Sequence, residues 1–169
     1  MSGAIKFNEE PILVENDLPQ IGQSLPFFLL VNHALEDISL DAFRGKRKII
    51  NIFPSIDTPT SAQSVRQLDA IAAGLDNTVV LNVSADLPFA MSRFYDEEKL
   101  GHVTNLSTMR GRDMLKNYGV LMVTSKLAGL SARALMVADE NDTVLHVELV
   151  NDLTSEPDYQ AAIASLENT

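Results

Sequence analysis

Lys48-Ile-Ile-Asn-Ile-Phe-Pro-Ser-Ile-Asp-Thr58-Pro-Thr-Ser61-Ala-Gln-Ser-Val-Arg66 decides the reading of this chain. From Lys48 to Phe53 the run is nearly continuous in apolar residues, interrupted by Asn51. That is the pattern of a short strand covered on both faces. Pro54 breaks it, and Thr58-Pro59 restarts the chain as a helix. Threonine is a good N-cap, and proline suits the first helical position because the N–H there would lack a partner anyway. Ser61 then falls in the first turn, where unpaired backbone N–H groups and the helix dipole favour an anion. A strand delivering a small nucleophile-type side chain to a helix N-terminus is a chemical arrangement, and serine is the puzzling part of it.

The helix from Pro59 carries Ala62, Val65, Leu68, Ala72 and Leu75 at three- and four-residue steps, with Gln63, Arg66, Gln67 and Asp69 on the other side. Asp76-Asn77 turns into a β-branched strand, Thr78–Val83. A second helical stretch runs from Phe89 to Tyr95, followed by a charged, exposed segment over 96–101 and a short strand over 103–106. Arg112 to Tyr118 reads as a short helix stopped by Gly119. The stretch 121–130 reads as irregular. Strands over 132–138 and 143–150 flank the turn Asp139-Glu140-Asn141-Asp142, and an amphipathic helix over 156–166 closes the chain. Upstream, residues 4–15 read as a small hairpin around Asn8-Glu9-Glu10-Pro11, and 27–31 and 38–40 as two weaker strands. This order predicts an α/β three-layer fold, a central mixed sheet flanked by helices, with an N-terminal β-hairpin. No repeat or linker divides residues 1–169, so one domain is expected.

Thirteen Lys and Arg against 23 Asp and Glu give a net charge of −10, which repels a nucleic-acid backbone or an anionic membrane surface. No apolar run approaches the ~18–20 residues that span a bilayer. The N-terminus is too polar and acidic for a signal peptide, so a cytoplasmic protein is expected. There is no cysteine, hence no disulfide framework or thiolate metal site. His33, His102 and His146 lack metal-ligand spacing.

The run Pro54-Ser-Ile-Asp-Thr58-Pro-Thr-Ser61-Ala-Gln-Ser-Val-Arg66 resembles the active-site signature of the bacterial thiol peroxidases, the Tpx branch of the peroxiredoxins. Their pattern is Pro-x-x-x-Thr-x-x-Cys, and every fixed element is present except the cysteine, whose place Ser61 takes. The resemblance extends through Lys46-Arg47-Lys48, Ser84-Ala-Asp-Leu-Pro-Phe-Ala90, Ser92-Arg-Phe94, Tyr118-Gly-Val120, Gly129-Leu-x-Ala-Arg133 and Glu156-Pro-Asp-Tyr159. It implies a thioredoxin-like fold, a homodimer, no cofactor and no metal. It further implies a thiol-dependent reduction of hydrogen peroxide and alkyl hydroperoxides, with thioredoxin or another external thiol as reductant.

By the same resemblance Arg133 would activate the nucleophile and position the peroxide, Thr58 would offer it a hydroxyl, and Pro54 would shield the pocket. Phe89, Met91 and Phe94 are candidates to line a substrate pocket, although their spacing equally suits plain core. Tyr95 stands where these enzymes commonly carry a resolving cysteine, and Asn82 where some relatives have a further one. A serine hydroxyl stays protonated and cannot become a sulfenic acid, so the chain is expected to be inactive as a thiol peroxidase. Two readings remain open: an engineered serine in a one-cysteine enzyme, mimicking its reduced state, or a natural cysteine-free relative acting as a binding protein. A serine hydrolase fits poorly, since there is no Gly-x-Ser-x-Gly elbow and no motif places a histidine as base.

Overall fold

The computed structural model describes residues 3–15 and 17–168. Strands β1 (Gly3–Phe7) and β2 (Glu10–Glu15) form a hairpin whose turn residues Asn8 and Glu9 both take left-handed φ values, 50° and 67°, as tight two-residue turns require. Strands β3 (Leu29–Val31) and β4 (Asp37–Ser39) are short, and β4 leads into one 3-10 turn over Leu40–Phe43. Next come β5 (Arg47–Ile52), α1 (Pro59–Ala72), β6 (Thr78–Ser84), α2 (Pro88–Glu98) and β7 (Thr104–Ser107). The order closes with α3 (Asp113–Asn117), β8 (Leu121–Met122), β9 (Ala134–Ala138), β10 (Val144–Leu149) and α4 (Tyr159–Glu167).

The main sheet has the strand order β10-β9-β5-β6-β7-β3-β4, and β1-β2-β8 form a separate small sheet. Strands β5, β6 and β7 are parallel, each joined to the next through a helix, while β9 runs antiparallel to β5. The sheet is therefore mixed and flanked by helices, the three-layer arrangement that the element order predicts, and it agrees with the thioredoxin-like fold that the resemblance implies. Alternation along β5 explains its composition. Ile49 packs with Leu68 of α1 and with Ala162 and Leu166 of α4, and Phe53, just beyond the strand, packs with Ala62 and Val65 of α1 and with Met91 and Phe94 of α2. Ile50 and Ile52 face the opposite layer, where Met114 and Leu115 of α3 and Ile12 and Val14 of the hairpin cover them. A strand covered on both faces has no solvent side for polar residues.

Three expectations change. The helix expected to end at Tyr95 continues to Glu98, because Glu97 and Glu98 sit on its outer face paired with Arg93 and Arg66. The stretch 121–130 opens with β8, whose two residues pair with Val14 and Glu15 and are too few to show a period. The last helix begins at Tyr159 rather than Glu156, since the Asp158 carboxylate accepts a hydrogen bond from the Ala161 N–H at 3.0 Å and sets the N-cap there. Gly119 does stop α3. Its φ is +68°, and a Cβ there would meet the Asp17 backbone at 2.4 Å, so only glycine fits.

Lys48 is fully buried in β5 and pairs with Asp142 in the β9–β10 turn, whose side chain is one-quarter exposed. Removing the charge of Asp142 strands an ammonium in the core, whereas Lys48→Met leaves a carboxylate that water reaches. Asp142→Asn should cost on the order of 2 kcal/mol and Lys48→Met less than about 1 kcal/mol, read as urea midpoints at constant slope.

Candidate active site

Parallel pairing brings Ile52 of β5 opposite Val83 of β6, and the Phe53 N–H still bonds to the Val83 carbonyl at 3.1 Å. The segments after both strands thus leave the sheet side by side, at the carboxyl edge where open α/β sheets bind ligands. One of them, Pro54 to Asp57, crosses to the start of α1. Thr58 has the extended backbone of an N-cap, but its side chain does not cap the helix. Thr58 Oγ1 lies 2.8 Å from the Ser55 carbonyl and 2.6 Å from Ser61 Oγ. A carbonyl only accepts, and Thr58 has one proton to give, so the Ser61 hydroxyl donates to Thr58. Ser61 is fully buried in the first turn of α1, and its carbonyl accepts from Ser64 Oγ at 2.8 Å.

Arg133 precedes β9 by one residue and is 1% exposed, a core residue rather than an edge charge. Its Nη1 donates to Ser61 Oγ at 3.2 Å and its Nη2 to the Leu153 carbonyl at 2.9 Å. Nε has no hydrogen-bond partner among the described residues. Burial pulls the guanidinium down to about 10, with Tyr159 and Glu156 acting in the other direction, so it stays cationic at neutral pH.

Pro54 is buried and, with Thr58 and Arg133, borders a cavity of about 290 Å³. Phe7, Leu127, Leu130 and Leu153 supply its apolar wall. The structure thus brings Ser61, Thr58, Arg133 and Pro54 together. It does not bring the three α2 residues to this cavity. Met91 and Phe94 are core, packed on Phe53, Ile56 and Val65, and Phe89 is two-thirds exposed. The wall comes instead from the hairpin and from the segments before and after the β9–β10 pair.

Tyr95 is a separate feature, half-buried on α2. Its hydroxyl is 3.5 Å from Asn82 Nδ2, and burial raises its pKa. Asn51 Nδ2 bonds to Asn82 Oδ1 at 3.0 Å and to Ser64 Oγ at 3.2 Å. A polar chain therefore runs inside the molecule from Tyr95 through Asn82, Asn51 and Ser64 to the carbonyl of Ser61.

Sequence reasoning missed the cavity wall, since Phe7, Leu127, Leu130 and Leu153 look like ordinary hairpin and loop residues. It also missed Asp86, whose carboxylate accepts from Ser55 Oγ at 2.8 Å and from the Ile56 N–H at 2.7 Å. The signal for Asp86 was its place just past the carboxyl end of a parallel strand.

The Redoxin family model matches residues 20–163. A thiol peroxidase from Vibrio cholerae is 43% identical over 162 residues, covering 96% of this chain and 99% of its own length. Among solved structures, a peroxiredoxin-like protein from Aquifex aeolicus superposes with a TM-score of 0.92 at 29% identity, covering 99% of this chain and 98% of that one. The thiol peroxidase from Chromobacterium violaceum gives 0.91 at 27% identity, with 98% and 95% covered. With a redoxin match over most of its length and a thiol peroxidase aligned nearly end to end, this chain belongs to the thiol peroxidases of the peroxiredoxin family.

Proposed function

We propose that position 61 is the peroxidatic position of a thiol peroxidase and that Ser61 holds the site in a reduced-like form without turnover. One observation carries this reading: Ser61 lies within hydrogen-bond distance of both Thr58 and the buried Arg133, which themselves border an apolar cavity. With a thiolate at 61, sulfur would attack the terminal oxygen of a hydroperoxide. An S–O bond forms, the O–O bond breaks, and the alcohol leaves once its oxygen takes a proton. The sulfur is oxidised by two electrons to a sulfenic acid, and an external thiol then reduces it through a mixed disulfide with loss of water. Because position 95 is tyrosine, that thiol comes from outside, from thioredoxin or a small molecule. A serine oxygen attacking the same bond would only form another O–O bond, so the peroxide is not reduced. The leucines and Phe7 around the cavity favour alkyl hydroperoxides over hydrogen peroxide. Family likeness adds a cytoplasmic homodimer, which light scattering tests as a mass twice the 18.5 kDa of the chain.

A second reading, a cysteine-free binding protein, is favoured by Asn82 and Tyr95, whose side chains are hydrogen-bonded at the places where the resemblance puts a thiol in some or most thiol peroxidases. It predicts retention of an organic hydroperoxide by the Ser61 protein with no activity in Ser61→Cys.

The protein as it stands should consume no cumene hydroperoxide above background in a thioredoxin-coupled assay, and Ser61→Cys should consume it steadily. Turnover by the serine form, or a folded but inert Ser61→Cys, defeats the peroxidase reading. The thiol in Ser61→Cys should titrate below the ordinary value of about 8.5, followed at 240 nm, because the helix N-terminus and Arg133 favour the thiolate. Adding Arg133→Met should raise that value by about one unit or more. The rate should rise as pH climbs through the thiol's pKa and hold steady above it, because the thiolate beside Arg133 keeps the guanidinium charged.

A further inference from the structure

We propose that Asp86 is a positioning residue for the site, acting on position 61 through Ser55 and Thr58. Among the described residues it does not line the cavity and hydrogen-bonds to neither Ser61 nor Arg133. Its place follows from the sheet: β6 ends at Ser84, and two residues later the chain sits beside the segment that follows β5. There it is fixed from behind. The Asp86 N–H donates to Ser84 Oγ at 3.2 Å, Ser84 Oγ donates to the carboxylate at 2.6 Å, and Ser107 Oγ, from the end of β7, donates to the Asp86 carbonyl at 2.6 Å. The same carboxylate reaches forward to take Ser55 Oγ at 2.8 Å and the Ile56 N–H at 2.7 Å.

Ser55 passes the constraint on. Its Oγ accepts the Asp57 N–H at 3.1 Å, and its carbonyl accepts both the Thr58 N–H at 3.1 Å and the Thr58 hydroxyl at 2.8 Å. Thr58 Oγ1 is then 2.6 Å from the oxygen at position 61. From carboxylate to reacting atom the path uses two residues and only hydrogen bonds to fixed partners. A carboxylate suits the role because it only accepts and can take several donors at once. An asparagine in its place keeps only one accepting oxygen: its amide nitrogen either faces Ser55, whose hydroxyl must then turn to accept, or faces Ser84 and the Ile56 N–H, which then loses its acceptor.

The inference rests on the peroxidase reading, and the test separates the two by titrating the thiol as well as measuring turnover. In a Ser61→Cys background, Asp86→Asn and Ser55→Ala are each compared for thiol pKa at 240 nm, second-order rate with cumene hydroperoxide, and melting temperature. The expected result is a thiol pKa raised by about one unit and a rate lowered roughly tenfold, in variants that still melt cooperatively, with Ser55→Ala showing the same direction to a smaller extent. If both variants keep the parent's thiol pKa and rate, Asp86 positions nothing. Should Asp86→Asn fail to fold, Ser55→Ala decides alone, since it cuts the link while leaving the bonds to Ile56 and Ser84. If Ser61→Cys itself consumes no hydroperoxide, the peroxidase reading falls, and the titration still tests Asp86.

Discussion

A guanidinium buried to 1% exposure is the constraint on which the site depends. Taking such a charge out of water is costly unless oxygens surround it. Arg133 finds two, the Leu153 carbonyl and the hydroxyl of Ser61, and leaves Nε without a partner among the described residues. Holding those oxygens in reach requires the turn after β10 to fold back over the start of β9, which the bond from the Val150 N–H to the Arg133 carbonyl secures at 2.9 Å. The hydrogen-bond partners of the Arg133 charge are neutral, and Glu156 acts on it without a direct bond. A thiolate at position 61 would answer it with a full negative charge, and a protonated serine hydroxyl does not.

The same sheet that buries Arg133 sets the other half of the site. Parallel pairing of β5 and β6 fixes where Pro54 and Asp86 leave the core, and α1 begins within a few residues of that edge. Arg93 on α2 reaches Asp57 at 2.9 Å from the solvent side, so the short connection from Ser55 to Thr58 is held from two directions. On the outer surface Arg66 grips Glu98 through two bonds of 2.8 Å and lies over the Phe94 ring, tying α1 to α2. These exposed pairs contribute little stability each. Their effect is on where the helices stand relative to the strand ends.

Much of this was legible in the chain because the informative features are local. A both-faces-buried strand, a proline break and a Thr-Pro helix start lie within Lys48–Arg66, while three- and four-residue spacing located α1, β-branched residues β6, and the turn Asp139-Glu140-Asn141-Asp142 the β9–β10 hairpin. The extent of α2 was misread because Asp96, Glu97 and Glu98 look like a loop until Arg66 and Arg93 are seen beside them. Strand β8 is too short to carry a period. The cavity wall was illegible for a different reason: Phe7, Leu127 and Leu153 meet only through long-range folding of the small sheet and the chain after β10. Phe89 and Phe94 drew attention as large residues near a signature, yet α2 turns one to solvent and the other into the core.

The interior of the sheet bears on what kind of peroxidase this scaffold allows. Asn51 and Asn82 are register partners on adjacent strands, and both point into the helix-covered face. A polar pair there is costly unless bonded, and Ser64 on one side and Tyr95 on the other supply partners, leaving only Asn51 Oδ1 unmet among these side chains. A small thiol at position 82 or 95 would not complete that chain. Removing Tyr95 would also leave the Asn82 amide N–H without that acceptor beneath α2. Asn82 and Tyr95 are thus adapted to one another. A scaffold built this way tolerates a thiol at position 61, where Thr58 and Arg133 wait on it, more readily than a second thiol beneath α2.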